Sequence, residues 1–160
     1  MKQLGALTCV AAIYFAVLAI PGQTSAQRNQ FTTFDPPGSN YTVPTSINPA
    51  GAVTGWCASH AAVHGFLRAP DGTITTFDPP GSMYTIPRGI NPAGTITGGF
   101  QEADNVGHGF LRTVDGTFTT FDPPGATFNE PMAINPAGVV TGEYGDANGV
   151  VHGYVWRLRF

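Results

Sequence analysis

The residues of this chain that could do chemistry recur at a fixed spacing. Three histidines, each followed by glycine and an aromatic residue, stand 44 residues apart at His64, His108 and His152. Three imidazoles around one axis can hold zinc. The alternative is a hydrogen bond from each histidine within its own repeat, with the following glycine allowing close strand packing. We expect no carboxylate to support each histidine at a fixed spacing, and therefore favour the packing interpretation.

Three aspartates, Asp35, Asp78 and Asp122, raise the same question because each precedes Pro-Pro-Gly. Carboxylates are ligands for calcium and can act as general acids. In turns, however, aspartate usually accepts hydrogen bonds from the backbone N–H groups of its own turn. We therefore predict a structural role for the aspartates, and no catalytic, cofactor-binding or metal-binding residue in the chain.

Four further carboxylates do not recur in every repeat, so a packing role common to all repeats does not explain them: Glu102, Asp104, Glu130 and Glu143. They carry the rival hypothesis, a carbohydrate-active hydrolase or lyase. Such an enzyme needs two carboxyl groups within about 5 to 10 Å of each other in one cleft. Scattered positions would favour a protein that binds without catalysis.

Two longer motifs occur three times each and place these residues in a repeating architecture. The offsets between equivalent positions are 43 or 44 residues, so the period is a property of the fold. Thr-Thr-Phe-Asp-Pro-Pro-Gly occupies 32–38, 75–81 and 119–125, and Ile-Asn-Pro-Ala-Gly occupies 47–51, 90–94 and 134–138.

Each repeat reads as four short strands. The first ends at Ile-Asn, where Asn-Pro-Ala-Gly predicts a tight turn with its glycine in the left-handed conformation. A strand rich in β-branched residues follows, then the histidine strand, then a strand stopped by Asp-Pro-Pro-Gly because proline donates no hydrogen bond to a ladder. Apolar residues occupy both odd and even positions along the strands, which predicts that both faces of each sheet are buried against neighbours.

Together these motifs resemble the extracellular HAF repeat family, whose units join a His-Ala-Phe strand to an Asn-x-x-Gly turn. The resemblance covers Phe31 to Tyr154, with His-Gly-Phe or His-Gly-Tyr in place of His-Ala-Phe. It implies a secreted, propeller-like protein and supplies no catalytic residue. Relatives usually carry more than the three units found here.

We therefore predict an all-β domain of three repeats, 31–73, 74–117 and 118–160, each a four-stranded antiparallel meander in a propeller-like arrangement. A β-trefoil, also built from three four-stranded units, is the alternative. Three blades do not comfortably close a ring. The chain begins with a fourth strand, Phe31 to Phe34, and ends with a third, Val151 to Trp156. We expect the first to complete the last, within one chain or in a homodimer of six units, and favour the homodimer.

Residues 1–26 read as a signal peptide, which makes 27–160 a single exported domain. Lys2 precedes the apolar run Leu4 to Ile20, and Thr24-Ser25-Ala26 offers small residues for cleavage. An uncleaved membrane anchor is the alternative, since the run approaches the length of a span. The predicted location is extracellular or periplasmic.

The composition after the leader excludes several partners. This part of the chain contains six arginines, ten acidic residues and no lysine, a composition that argues against nucleic acid as a partner. One alternating segment at the C-terminus is too little for insertion into a membrane. Cys57 has no disulfide partner and stands where other repeats have Phe100 and Tyr144, so we expect it to be buried. The preferred function is a secreted, non-catalytic binding or surface-interaction module for an unidentified extracellular ligand.

Overall fold

The computed structural model describes residues 30–59 and 62–158, and within them it contains eleven β-strands and no helix. This confirms the all-β class. The predicted signal peptide lies outside the described residues. The strands are β1 (Tyr41–Ile47), β2 (Val53–Ser59), β3 (Ala62–Arg68), β4 (Ile74–Phe77), β5 (Tyr84–Ile90), β6 (Ile96–Gln101), β7 (Gly107–Arg112), β8 (Phe118–Phe121), β9 (Phe128–Ile134), β10 (Val140–Gly145) and β11 (Val151–Trp156).

Consecutive strands pair antiparallel in three successive meanders. The first meander is β1–β4, the second β5–β8 and the third β9–β11. A single parallel bridge between Val63 and Tyr84 joins the first two into one eight-stranded sheet, and the third is a separate three-stranded sheet. Neither sheet closes into a barrel. Within the described residues, the third meander has no fourth strand.

The Asn-Pro-Ala-Gly turns fold as the sequence predicts. Gly51, Gly94 and Gly138 have φ of 84°, 82° and 76°, a left-handed region that glycine enters without a side-chain clash. In the first of these turns the Asn48 side-chain oxygen accepts hydrogen bonds from the backbone N–H groups of Ala50 and Ala52. The asparagine thus organises the turn, and the glycine lets the chain reverse.

The hydrophobic core lies between the meanders rather than within any one of them. Each meander packs one face against the next, as expected for strands with apolar residues on both parities. The first cluster joins Leu67 and Phe77 to Ile90, Ile96, Phe100 and Phe110 of the second meander. The second cluster joins Leu111 and Phe121 to Ile134, Val140, Tyr154 and Trp156 of the third.

Phe77 shows how one residue serves two meanders. It belongs to β4, where it lies opposite Gly65, and its ring packs edge to face on Phe110 with centroids 6.3 Å apart. The guanidinium of Arg112 lies 4.8 Å over the same ring. A Cβ at Gly65 would stand 2.6 Å from the Phe77 ring, so the glycine after His64 is required for this packing. Phe77 is therefore a core residue shared by two meanders.

The predicted strand at Phe31 to Phe34 is wrong, because these residues form no strand. A short segment becomes a strand only beside an edge with which it can exchange hydrogen bonds, and the described residues place no such edge next to it. Phe34 nevertheless packs like its repeat mate Phe77. Its ring lies edge to face on Phe66 at 5.9 Å, with the Arg68 guanidinium 5.2 Å from its centroid.

Candidate functional site

The three predicted histidines each pair with one aspartate rather than with one another. His64 Nδ1 lies 2.6 Å from Asp78 Oδ2, and His108 Nδ1 lies 2.7 Å from Asp122 Oδ2. The predicted hydrogen bond of each histidine within its own repeat is wrong for His64 and His108, because Asp78 and Asp122 belong to the next predicted repeats, 74–117 and 118–160. The expectation that no carboxylate follows at a fixed spacing is wrong, since the aspartate comes 14 residues later in both cases. The spacing was overlooked because the two residues meet only across a hairpin.

The aspartates also reach forward to the next meander. Asp78 Oδ1 accepts a hydrogen bond of 2.6 Å from the Thr85 hydroxyl, and Asp122 Oδ1 accepts one of 3.0 Å from the Asn129 amide. We call each set of histidine, aspartate and Thr or Asn a clasp. The prediction that these aspartates cap their own turns is wrong. The two residues after each aspartate are prolines, which have no N–H to donate.

The clasps are structural, because each ties a histidine strand to the first strand of the following meander. Within residues 30–59 and 62–158, no three His, Cys, Asp or Glu side chains come together as a metal site would require. The histidines instead stand one to a meander.

Half of a clasp is found at each end of the described chain. Asp35 Oδ1 accepts a hydrogen bond of 2.7 Å from Thr42, but the described residues supply no histidine for its other oxygen. His152 Nε2 lies 3.3 Å from Asp146 Oδ2, an aspartate of the adjacent β10–β11 turn. The first meander thus holds an aspartate without its histidine, and the third holds a histidine without its Pro-Pro-Gly aspartate.

A cleft of about 350 Å³ lies between the second and third meanders. Its walls come from β5, β6 and β9, with the β6–β7 turn at one end, and Tyr84, Phe100 and Phe128 give it an aromatic character. Small-molecule sites occupy about 300 to 1,000 Å³ and are mostly apolar with a few polar groups. This cleft falls at the small end of that range.

The cleft is lined by a glycine at a repeat position that carries a large side chain in the first meander. In the first meander this position is Trp56, which packs against Tyr41 with ring centroids 5.3 Å apart. In the second meander it is Gly99, where a Cβ would reach the Asn129 carbonyl oxygen at an ordinary contact distance of 3.5 Å. Gly99 thus places no side chain in the cleft that it lines. The difference between Trp56 and Gly99 is visible when the repeats are aligned.

Polar groups line the same cleft. Arg88 Nη2 lies 3.6 Å from Glu130 Oε2, with both side chains partly exposed. The Gln101 amide donates a 3.0 Å hydrogen bond to the Asn105 carbonyl. Asn129 is buried in the wall, and its side-chain oxygen has no hydrogen-bond partner among the described residues. The cleft therefore combines aromatic surface with charge-balanced polar groups.

Only Glu130 of the four non-repeated carboxylates lines the cleft. Glu143 lies directly opposite Glu130 in the β9–β10 register, so the two side chains share a face of the sheet with Cβ atoms about 4.5 to 5.5 Å apart. Glu102 and Asp104 belong to the β6–β7 turn, where Asp104 accepts a 3.0 Å hydrogen bond from the Val106 N–H. The structure therefore brings two of the four together, but not both inside the cleft.

The lone cysteine of the described chain is buried, as predicted. Burial is the main cause that raises the pKa of the Cys57 thiol, and the nearby negative charge of Asp78 adds to it. A raised pKa leaves less thiolate, the reactive form of cysteine. Cys57 therefore acts as a small core residue.

Comparison of the sequence with family models and with curated proteins gave no match. The predicted likeness to HAF repeats thus gains no support from either comparison. Among the described residues, no helix has the length and apolarity needed to cross a membrane.

Proposed function

We propose that this protein is an exported, non-catalytic binding module that holds a small ligand in the cleft between its second and third meanders. The single observation that carries the proposal is the cleft itself, lined by Gly99 where the first meander has Trp56. The signal-like leader at residues 1–26 supports export. A rigid repeat scaffold with one irregular, lined junction is the arrangement expected of a binding protein.

The lining favours a neutral ligand with one apolar face and several hydroxyl groups, the chemistry of a saccharide unit. The rings of Tyr84 and Phe128 offer flat apolar surface, and Tyr84 is well exposed. Arg88 and Glu130 offset each other in charge, so neither a strong anion nor a strong cation is favoured. Their donors and acceptors, with the Gln101 amide, match hydroxyl groups.

The experiment compares saccharide binding by the natural protein and by Gly99→Trp. Neutral mono- and disaccharides are titrated while heat or the fluorescence of Trp56 and Trp156 is followed. We expect saturable binding by the natural protein and its loss in Gly99→Trp, because an indole at position 99 would enter the cleft that Gly99 lines. Thr76→Trp, at an exposed position of β4, is the control and should bind normally. Absence of saturable binding, or equal binding by Gly99→Trp, would contradict the proposal.

The second candidate function is the carbohydrate-active hydrolase or lyase, and the observation that favours it is the adjacency of Glu130 and Glu143 across β9 and β10. Like charges placed directly opposite destabilise a sheet, so their retention invites a functional explanation. Oligosaccharide incubation followed by product analysis tests it. Cleavage that is lost in both Glu130→Gln and Glu143→Gln would favour the enzyme, whereas intact substrate favours the binding module.

For the architecture we infer a propeller-like array of three blades, in which each meander is one blade. Its support is the sequential packing of meander on meander, with the same clasp and the same aromatic contact at both junctions. A trefoil would close its strands into a barrel, an arrangement absent from both sheets of the described residues. The likeness to extracellular HAF repeats is compatible with this array and stays a prediction.

A further inference from the structure

The two ends of the array expose positions that are buried at its internal junctions. Val155 of β11 is 69% exposed, whereas its repeat mate Leu111 is 6% exposed in the second cluster. At the other end, Ile47 of β1 is 67% exposed, whereas its mate Ile90 is 7% exposed in the first cluster. Each end therefore presents one side of a junction whose other side is missing.

The two half-clasps are complementary in the same way. At each internal junction one aspartate accepts from a histidine of the preceding meander and from a Thr or Asn of the following one. Within the described residues, Asp35 has its Thr42 partner but no histidine partner, and His152 has no Pro-Pro-Gly aspartate as a partner. An Asp35 placed beside His152 would complete a third clasp with the chemistry of the other two.

The strand register gives the same answer. β4 pairs with β3 in the same register in which β8 pairs with β7. Phe77 at the end of β4 and Phe121 at the end of β8 then each pack on the next meander. Phe34 already makes the second contact, on Phe66, but its segment pairs with no strand. β11 lacks a strand on its outer edge within the described residues. An unpaired edge is a ready template for a strand from another chain.

We propose that two copies of this chain associate head to tail, each supplying its segment 31–35 as the missing outer strand on β11 of the other. Asp35 of one copy then meets His152 of the other, and Val155 is covered by the first meander of that copy. Because the two contacting surfaces differ, the copies form a closed ring only if the rotation that relates one copy to the next returns to the first copy. Two copies give six meanders, within the usual range of four to eight propeller blades, whereas one copy gives only three.

Cross-linking between differently substituted chains tests the pairing directly. Thr75 lies opposite Leu67 in the β3–β4 register, so Thr32 should lie opposite Val155 across copies. Antiparallel partners have Cα atoms about 4.5 to 5.5 Å apart, a separation that a disulfide can span. Chains carrying Thr32→Cys and chains carrying Val155→Cys, both with Cys57→Ala, are mixed and oxidised. We expect a disulfide between the two kinds of chain.

The control mixture replaces Val155→Cys by Val114→Cys, a residue that is 72% exposed in the β7–β8 turn and has no role in the proposed contact. A yield no higher than this control would overturn the proposal. A disulfide formed within a doubly substituted chain, and never between mixed chains, would likewise overturn it in favour of closure inside one chain.

The mass of the mature protein in solution is an independent test. Light scattering over a wide range of concentrations should give the mass of two chains for the natural protein. Val155→Asp should give the mass of one chain that still melts cooperatively, at a temperature that no longer depends on protein concentration, because Val155 is exposed in the single chain. Val114→Asp is the matched control and should stay dimeric. A single-chain mass for the natural protein, or an open series of larger oligomers, would contradict the two-copy ring.

Discussion

The second and third meanders share the same repeat motifs, yet within the described residues only the second is covered on both faces. Thr97 and Thr141 occupy equivalent positions, and each hydroxyl donates to a backbone carbonyl of the neighbouring strand, over 3.0 Å to Phe110 and 2.9 Å to Tyr154. Thr97 is fully buried, whereas Thr141 is exposed. The hydrogen bond inside the meander is therefore the same, and the difference lies in what the next meander covers.

This difference teaches that a single meander specifies its own strands but not its own core. Apolar burial is the main favourable contribution to folding, and the two buried apolar clusters both lie at junctions. Stability in such arrays is approximately a sum of unit terms and nearest-neighbour interface terms. Residues at an internal junction should thus contribute more to stability than their mates at an end.

The largest contrast is expected between Phe77 and Phe34. Phe77→Ala should lower the free energy of unfolding by about 3 to 5 kcal/mol, because it leaves a cavity between two meanders. Phe34→Ala should cost clearly less, since Phe34 is only partly buried at the open end. Urea melts of both variants in the Val155→Asp background keep association out of the measurement. Equal losses would show that the N-terminal end is packed as tightly as the middle.

A smaller contrast is expected between Asp122 and Asp35. The Asp122 carboxylate accepts hydrogen bonds from His108, Asn129 and the Gly109 N–H, and so joins two meanders. Asp122→Ala should cost about 1.5 to 3 kcal/mol, the usual contribution of hydrogen bonds to a charged group. Asp35→Ala, which removes one exposed bond to Thr42, should cost about 0.5 kcal/mol or less in a single chain. A similar loss in both variants would remove the distinction between a full clasp and a half-clasp.

The turn glycines sharpen the comparison by separating backbone strain from crowding. Gly138 has nothing within 4 Å of a built Cβ, whereas a Cβ at Gly94 would stand 2.7 Å from a methyl group of Val114. Gly138→Val should cost about 1 to 2 kcal/mol from the left-handed backbone alone, and Gly138→Asn less. Gly94→Asn should cost more than Gly138→Asn because Val114 must move. Thermal melts of the three variants measure this order, and equal costs at both glycines would show that crowding plays no part.

The features that the sequence predicted correctly are those set by neighbours in the chain. The Asn-Pro-Ala-Gly turns, the strand ends at Asp-Pro-Pro-Gly and the burial of Cys57 follow from local conformational rules and from composition. The wrong predictions concern partners that are distant along the chain. Asp78 pairs across a hairpin and a junction, and Phe31 to Phe34 lacks the strand edge it needs. The zinc site, the less favoured interpretation of the histidines, requires them to meet around one axis, whereas each pairs with its own aspartate.

The cleft does not follow from the repeated motifs, because it depends on a difference between repeats and on how two of them pack. Gly99 in place of Trp56 is visible in the alignment of the repeats, but its consequence needs the position of β9, which the alignment does not give. Glu130 was named as a candidate among four carboxylates. Its pairing with Arg88 across the cleft depends on how two meanders pack and could not be read from spacing.

The smallest expected effect concerns acid, and it should appear in the third meander. Hydrogen bonds, first from the Val150 N–H and then from His152, lower the pKa of Asp146 to about 2. A carboxylate with a folded pKa below its unfolded value of about 3.9 stabilises the fold above that value, and the contribution is lost as the pH falls through the folded pKa. The β10–β11 turn should therefore loosen between about pH 4 and pH 2.

Hydrogen exchange of the Val150 and His152 amides over that pH range, corrected for the intrinsic rate, measures the loosening. Asp146→Asn keeps a side-chain oxygen that accepts hydrogen bonds but removes the titration, so its protection should be lower at neutral pH and nearly independent of pH. The His108 amide of the second meander serves as the internal reference, because β7 is paired on both edges, with β6 and with β8, and His108 contacts Asp122. If acid loosens both meanders equally, the covered face of the second gives it no advantage, and the contrast between a covered and an open meander does not extend to acid stability.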